Sequence, residues 1–390
     1  MSVTRTRKTM PLTASRSRHR AAPCIVAIAA ASVIVAACAS GDSAPTRDTA
    51  AADTARANAR GDSAPPAVIA ETFVTPFDSA DNIDGPAVWH GANGSHWLLS
   101  TAKTTDVVLV NDAATGARVR RVGGSGTEPG KLKRPNGITV IGDMMLVVER
   151  DNHRVQGFAL PAFTSLGTFG DTLLKLPYGI TWYEERPGSW IVYVTDNYET
   201  PQETTPPDRE LGERVKQFRL SLQNGRLQAE HLRSFGDTAG PGVLRTVESI
   251  VADRPNNRLV IAEETEVDSH LKIYDLEGKF TGQIVGRGKF PQQAEGIALY
   301  ACDDGAGYWV TTDQGDSTNT YHLFDRRTFD HVGAFTGARA RRTDGVALTQ
   351  EAFGPFPAGA FFVSHLDAAT AALSWSVIAD SLGVRKDCTR

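Results

Sequence analysis

The sequence predicts an all-β protein folded as a six-bladed β-propeller, on three observations. A polar or aromatic residue, then Gly or Ser, then an apolar β-prone run recurs six times: IDGPAVW at Asp84, PNGITVI at Asn136, PYGITWY at Tyr178, VESIVAD at Glu248, AEGIALY at Glu295 and TDGVALT at Asp344. These sites are 52, 42, 70, 47 and 49 residues apart, and repeats near 40 to 50 residues with several strands each are the signature of propeller blades. From about residue 67 onward, short β-branched and aromatic runs alternate with Gly, Asn, Asp and Pro turns, which favours strands over helices.

Taken in order, the chain begins with a segment of a different kind. Arg5, Arg7, Lys8, Arg16, Arg18 and Arg20 supply six positive charges with no acid, and the apolar run CIVAIAAASVIVAAC follows. That is the charge and length pattern of an export signal rather than a membrane span. Its end, Val35-Ala36-Ala37-Cys38, resembles a bacterial lipobox, so residues 1–38 are expected to act as a lipoprotein signal with Cys38 carrying lipid. The protein is then expected to be exported and lipid-anchored at the bacterial cell envelope, at the outer membrane or cell surface, or otherwise periplasmic or secreted. Residues 39–66 hold almost no large apolar side chain and read as a disordered tether. The propeller domain is expected over 67–390.

Loss of residues 1–37 takes the formal charge from −4 to −10, which argues against nucleic-acid binding. Of the four cysteines, Cys24 would leave with the signal and Cys38 would carry lipid, and the two that are left are too few for a multi-cysteine zinc site. Cys302 and Cys388 remain after processing and are a possible disulfide pair in an oxidising compartment.

Each repeat contains a second strand that ends in polar residues: WLLSTAK, MLVVERDNHR, IVYVTDNYE, RLVIAEETE, YWVTTDQGD and FFVSHLD. Third strands follow after turns, as an antiparallel meander requires, except in the last repeat, where none is clear. The 70-residue spacing contains an insertion at 199–213, and 373–383 (LSWSVIADSLG) reads as a short amphipathic helix.

In a propeller the innermost strands line a central channel, so the residues before them gather at one rim. The repeats therefore bring Asp84, Asn136, Tyr178, Glu248, Glu295 and Asp344 into a ring. Clustered carboxylates repel unless cations lie between them, and hard oxygen donors in loose geometry suit Ca²⁺. Glu263, Glu264 and Asp313, at the ends of second strands, are placed to complete such sites. Lys103 ends the second strand of repeat one, and Arg150 and Arg154 occupy that place in repeat two; cations beside a metal-binding rim suit a phosphorylated small molecule. His153, His322, His331 and His365 read as turn or surface residues, and Trp89, Trp182, Trp190 and Trp309 as packing between blades.

These motifs resemble the calcium-dependent β-propeller phytases. DGPAVW (84–89) is similar to that family's Asp-Asp-Pro-Ala-Ile-Trp, YGITWY (178–183) to its Tyr-Gly-Phe-Ser-Leu-Tyr, and VESIVADRPNNRLVIAEE (247–264) to its Glu-Gly-Met-Ala-Ala-Asp segment that runs to a Glu-Glu pair. AEGIALYACDDGAGYWVTTDQGDSTNTYHLFDR (294–326) is the nearest match, and the similarity spans roughly 80–380. The resemblance implies a 3-phytase-like phosphoric monoester hydrolase, Ca²⁺-dependent and acting on phosphate monoesters such as phytate; the chain is expected to be a monomer. It implies Asp84, Glu248, Glu264 and Glu295 as metal ligands, Lys103, Arg150 and Tyr178 as holders of phosphate oxygens, and Asp344 as a metal- or water-positioning carboxylate.

The chain departs from the family pattern at three places. Gly85 replaces a carboxylate, Asp196, Asn197 and Glu199 stand where a lysine-glutamate pair is expected, and ARARRT (338–343) replaces an Asp-rich segment, with Ala338 at an acid position. These changes are expected to weaken calcium loading and to favour anions. Residues 122–158 resemble an NHL-type repeat, which raises the alternative of a non-catalytic surface propeller binding a protein or glycan. A Ca²⁺-dependent lactonase-like hydrolase is a further alternative, distinguished by not needing Lys103 and Arg150 at the ring.

Overall fold

A computed structural model describes residues 65–265 and 269–388. The signal segment and nearly all of the tether lie outside the described residues. Two short strands come first, β1 (Ala67–Ile69) and β2 (Phe73–Val74). The first three blades are four-stranded antiparallel sheets in sequence order. They comprise β3 (Ile83–His90), β4 (His96–Ala102), β5 (Val107–Asp112) and β6 (Arg118–Gly123); β7 (Pro135–Ile141), β8 (Met144–Glu149), β9 (Arg154–Ala159) and β10 (Thr164–Phe169); then β11 (Pro177–Arg186), β12 (Ser189–Asp196), β13 (Val215–Gln223) and β14 (Arg226–Phe235).

Blade four holds β15 (Ile250–Asp253), β16 (Arg258–Glu263), β17 (His270–Tyr274) and β18 (Phe280–Val285), and blade five β19 (Ala294–Ala301), β20 (Gly307–Asp313), β21 (Thr320–Asp325) and β22 (His331–Gly337). Blade six has only three strands of its own, β23 (Val346–Thr349), β24 (Ala360–His365) and β25 (Ala369–Ser374). The third strand that is not legible in the last repeat is β25, ATAALS. Its alanines carry no β-branched signal, and tertiary packing decides the strand.

The N-terminal strands close the circle. β2 pairs antiparallel with β25, Phe73 opposite Ala372, and becomes the fourth strand of blade six. β1 adds a fifth strand to blade five, parallel to β22. Each interface between neighbouring blades carries its own apolar cluster, for example Leu146, Val148, Val192 and Phe218 between blades two and three, or Val260, Ile273, Ile297 and Trp309 between four and five. The core is thus a set of wedges around the channel, each fully buried aliphatic side chain contributing about 1.5–3 kcal/mol.

The expected helix is α1 (Trp375–Leu382), ended by Gly383 at φ 68°. Its Trp375 is fully buried and stacks on Tyr300 of blade five at 4.3 Å. Cys302 and Cys388 form a disulfide that ties the tail beyond α1 to blade five. The insertion at 199–213 folds back on the body, where Asp208 pairs with Arg245 at 2.6 Å and Leu211 packs with Tyr198 and Val243. Trp89 and Trp309 are buried, Trp182 and Trp190 partly so, as expected of residues between blades.

Candidate metal and phosphate site

The glycine that follows five of the six ring residues is explained by the contact between blades at the axis. A Cβ on Gly137 would sit 2.3 Å from the Tyr178 carbonyl oxygen, and one on Gly179 only 1.9 Å from that of Glu248. Gly296 and Gly345 meet the carbonyls of Asp344 and Asp84 in the same way, at 2.8 and 2.7 Å. At these four positions the blade abuts the ring residue of the next and no side chain fits, while a Cβ on Gly85 would be looser, at 3.3 Å from the Asn136 carbonyl oxygen, and the fourth repeat carries Ser249. Thr101 and Thr195 stitch the same seam. Thr195 Oγ1 accepts from Gly179 N at 2.7 Å and donates to Glu248 O at 2.9 Å, and Thr101 Oγ1 donates to Asn136 O at 2.6 Å.

With the backbone pinned, side chains of the preceding residues gather at one end of a cavity of about 920 Å³ that runs through the innermost strands and is lined by Asp84, Tyr178, Glu248, Glu295 and Asp344, among others. Carboxylate oxygens of Glu248, Glu264 and Glu295 lie within 4.8 Å of one another. Lys103 Nζ donates to Asp84 Oδ1 at 2.8 Å and to Asp344 Oδ2 at 3.4 Å. Asp344 also accepts from the Gln314 amide, and its backbone N donates to Ser364 Oγ at 2.9 Å. Tyr178 lies between the two groups, close enough to Glu248 and to the guanidinium of Arg150 to interact with both. All eight residues expected at the site are thus brought together.

The electrostatics show an excess of negative charge. Burial first, then Asp84, pushes the Glu248 carboxyl up to about 8. Burial, with Glu248 as the leading charge, holds Glu264 and Glu295 well above the usual carboxylate range. Burial pushes Asp344 up to about 6 although Lys103 opposes it. For Lys103, burial alone would lower the ammonium, but Asp84 and Asp344 outweigh it and hold it above its ordinary value. Lys103 is already engaged by those two aspartates, so the three glutamates share space without a hydrogen-bonded cation, and Glu264 Oε1 is buried with no partner. Such a set is stable only protonated or around a cation, and three oxygen donors without sulfur or imidazole fit a hard divalent ion.

Not every residue expected near the ring belongs to it. Glu263 and Asp313 turn away and bind backbone: Glu263 accepts from Arg245 N and Thr246 N at 2.9 Å each and pairs with Lys272 at 3.0 Å. Asp313 accepts from Gln292 N and Gln293 N at 3.0 and 3.1 Å. Asp196 does the same for Lys175 N and Leu176 N. These acids are a repeated blade device, fixing the loop that enters the innermost strand. Strand alternation sends Glu263 to the loop and its neighbour Glu264 to the ring. Arg154 is likewise consumed, at 2.7 Å from buried Glu149.

The arginines that replace the Asp-rich segment are also engaged. Arg339 pairs with Glu71, Arg342 with Asp316 and Asp367, and Arg341 Nη1 donates to Ala340 O at 2.7 Å. Their charges are therefore already partly met by neighbouring acids and carbonyls. His322 and His365 are buried rather than on the surface. Gln314 is a site residue that the sequence does not single out; its only signal is its place directly after the second strand of blade five.

The decisive comparison follows from this geometry. Residues 214–354 match the Phytase family model. The phytase-like stretch runs from blade three into blade six and contains Glu248, Glu264, Glu295 and Asp344, the acidic half of the site. Asp84, Lys103, Arg150 and Tyr178 precede it, in blades one to three. Among solved structures, the chain is similar to one titled Crystal structure of Nidogen/Laminin Complex, at 11% identity and TM-score 0.44 over 70% of this chain and 88% of that one. It is also similar to Kuenenia stuttgartiensis Hydrazine Synthase, at 12% identity and TM-score 0.42 over 78% and 81%.

Proposed function

We propose that this phytase-like hydrolase releases phosphate from phosphorylated small molecules such as phytate in a Ca²⁺-dependent reaction. The observation that carries the reading is the adjacency of two unlike groups at one channel mouth: three glutamates within 4.8 Å of one another, and Lys103 with Arg150 beside them. A lactonase-like site has no use for the two cations at the ring. Glu248, Glu264 and Glu295 would hold the metal, with Asp84 alongside, and their oxygen-only donors fit calcium. When bound, Ca²⁺ neutralises phosphate charge and lowers the pKa of a coordinated water.

The chain's own residues supply the rest. Arg150 offers a guanidinium that suits phosphate oxygens, and Tyr178 a hydroxyl near both Glu248 and Arg150. Asp344, fixed by Lys103, Gln314 and the Ser364 hydroxyl, is positioned to accept a proton from a water attacking phosphorus. Lys103, hydrogen-bonded to Asp344, favours its ionised form before that proton is taken up.

The proposal includes export and lipid anchoring through Cys38, with the enzyme acting as a monomer at the cell envelope. Support comes from the signal-like N-terminus and from the Cys302–Cys388 disulfide, a bond that persists in oxidising compartments. The test is phosphate release from phytate by the purified protein with Ca²⁺ or with chelator, alongside Glu295→Gln. Calcium-dependent release that the substitution abolishes supports the reading. A folded protein that releases none at any calcium concentration overturns it.

A further inference from the structure

At the opposite end of the channel lies a second, chemically different cluster. β3 carries Asp84 near its start and His90 at its end, about 20 Å away along a strand. His90 is paired across the hairpin with His96 of β4, and the two Nδ1 atoms are 2.6 Å apart. One imidazole N–H donating to the other's lone pair accounts for that separation, and so does a metal ion that takes a lone pair from each ring. His90 Nε2 is 2.8 Å from Thr349 Oγ1. With Nε2–H donating there, Nδ1 presents its lone pair to His96, the orienting arrangement characteristic of metal-bound imidazoles.

A carboxylate completes the set from the neighbouring blade. Glu351 Oε2 is 3.6 Å from His90 Nδ1, and Glu351 N donates to Thr349 Oγ1 at 3.3 Å. Phe353 packs against both imidazoles, with ring centroids 5.2 and 5.0 Å away, and holds their planes. We propose that His90, His96 and Glu351 form a transition-metal site of the Zn²⁺ class, separate from the carboxylate ring. Two nitrogens and one oxygen suit Zn²⁺ with a water in the fourth position and do not suit Ca²⁺. Zn–N bonds of about 2.0–2.1 Å in a tetrahedron separate the two nitrogens by about 3.3 Å, so loading the site requires a rotation of partly exposed His96 and a movement of the largely exposed Glu351 side chain toward it. The ion would clip blade one to blade six, the blade that β2 completes from the N-terminus.

The test titrates Zn²⁺ into the full chain with Ca²⁺ in excess, by competition with a chromophoric chelator, and repeats the titration with Co²⁺ to read the visible spectrum of a tetrahedral ion. One equivalent is expected, with affinity falling by about tenfold or more in His96→Gln and in Glu351→Gln. Phosphate release should be unchanged in both. Glu295→Gln should keep the Zn²⁺ equivalent, so this site stands or falls independently of the hydrolase reading. Unchanged affinity in His96→Gln, or loss of the equivalent in Glu295→Gln, would overturn the proposal. Glu351 is largely exposed, so its substitution tests the site even if His96→Gln does not fold, and unchanged affinity there would overturn the proposal equally.

Discussion

Lys103 Nζ lies 2.8 Å from Asp84 Oδ1, so the cation at the end of one strand neutralises the ring carboxylate at the head of its neighbour in the same blade. Its second contact, to Asp344, joins blade one to blade six. Where the family pattern has two acids in tandem, this chain has Asp84 and then Gly85, and one lysine balances what remains.

Lys103→Met is therefore expected to damage catalysis more than folding. A charge-assisted hydrogen bond contributes about 1.5–3 kcal/mol, which corresponds to a loss of about 10- to 150-fold in kcat/KM. Steady-state phosphate release measures it. Activity within threefold of the parent would show that Lys103 is a structural counter-ion only.

Glu263 and Glu264 are adjacent and should give opposite phenotypes. Glu263→Gln breaks a buried pair with Lys272 and weakens two backbone hydrogen bonds, costing about 3–5 kcal/mol with calcium affinity retained in the folded fraction. Glu264→Gln removes charge from a crowded ring, so the metal-free protein should melt at the same or a higher temperature while calcium binding and phosphate release are lost. Thermal melts with and without Ca²⁺ separate the two, and a shared phenotype would contradict the assignment.

How much of this is legible in the sequence depends on the kind of signal. The blade count and ring residues are readable because the glycine contact at the axis imposes the same short grammar on nearly every repeat, with Ser249 taking the glycine's place in the fourth. The split between Glu263 and Glu264 is not, because both are acids at a strand end and only the direction of each side chain distinguishes them. Nor is the clasp by β2, since two residues of a strand carry no periodicity. His90 and His96 escape notice because their pairing arises from hairpin register rather than sequence spacing.

Stability of the metal-free protein should fall as pH rises. The Glu248 carboxyl moves from 4.5 in the unfolded chain to about 8 in the native one. Below 4.5 both states are protonated and the native state suffers no penalty. Between 4.5 and about 8 the unfolded chain has released its proton while the native chain still holds it, so stability declines across that window. Glu264 and Glu295 are shifted in the same direction and deepen the decline. Calcium binds the ionised form, so its stabilising effect should grow over the same window. A pH series of melts in chelator and in Ca²⁺ measures both slopes, and a chelator profile that rises with pH would refute the account.

Gly179→Ala tests the axial packing directly. The new Cβ would lie 1.9 Å from the Glu248 carbonyl oxygen, and the neighbour is backbone held by Thr195, so it cannot swing aside as a side chain would. Relief requires blades three and four to separate, at a cost of about 1–3 kcal/mol or more. Because the displaced residue is Glu248, the same movement opens the carboxylate cluster, and calcium affinity should fall with stability. Gly188→Ala is the control: it sits at φ 75° in an exposed turn with no atom near its Cβ, so it should cost only backbone strain and leave calcium binding intact. Equal calcium affinity in the two variants would show that the ring tolerates movement at the blade contact, and the link between axial glycine and metal ligand would fail.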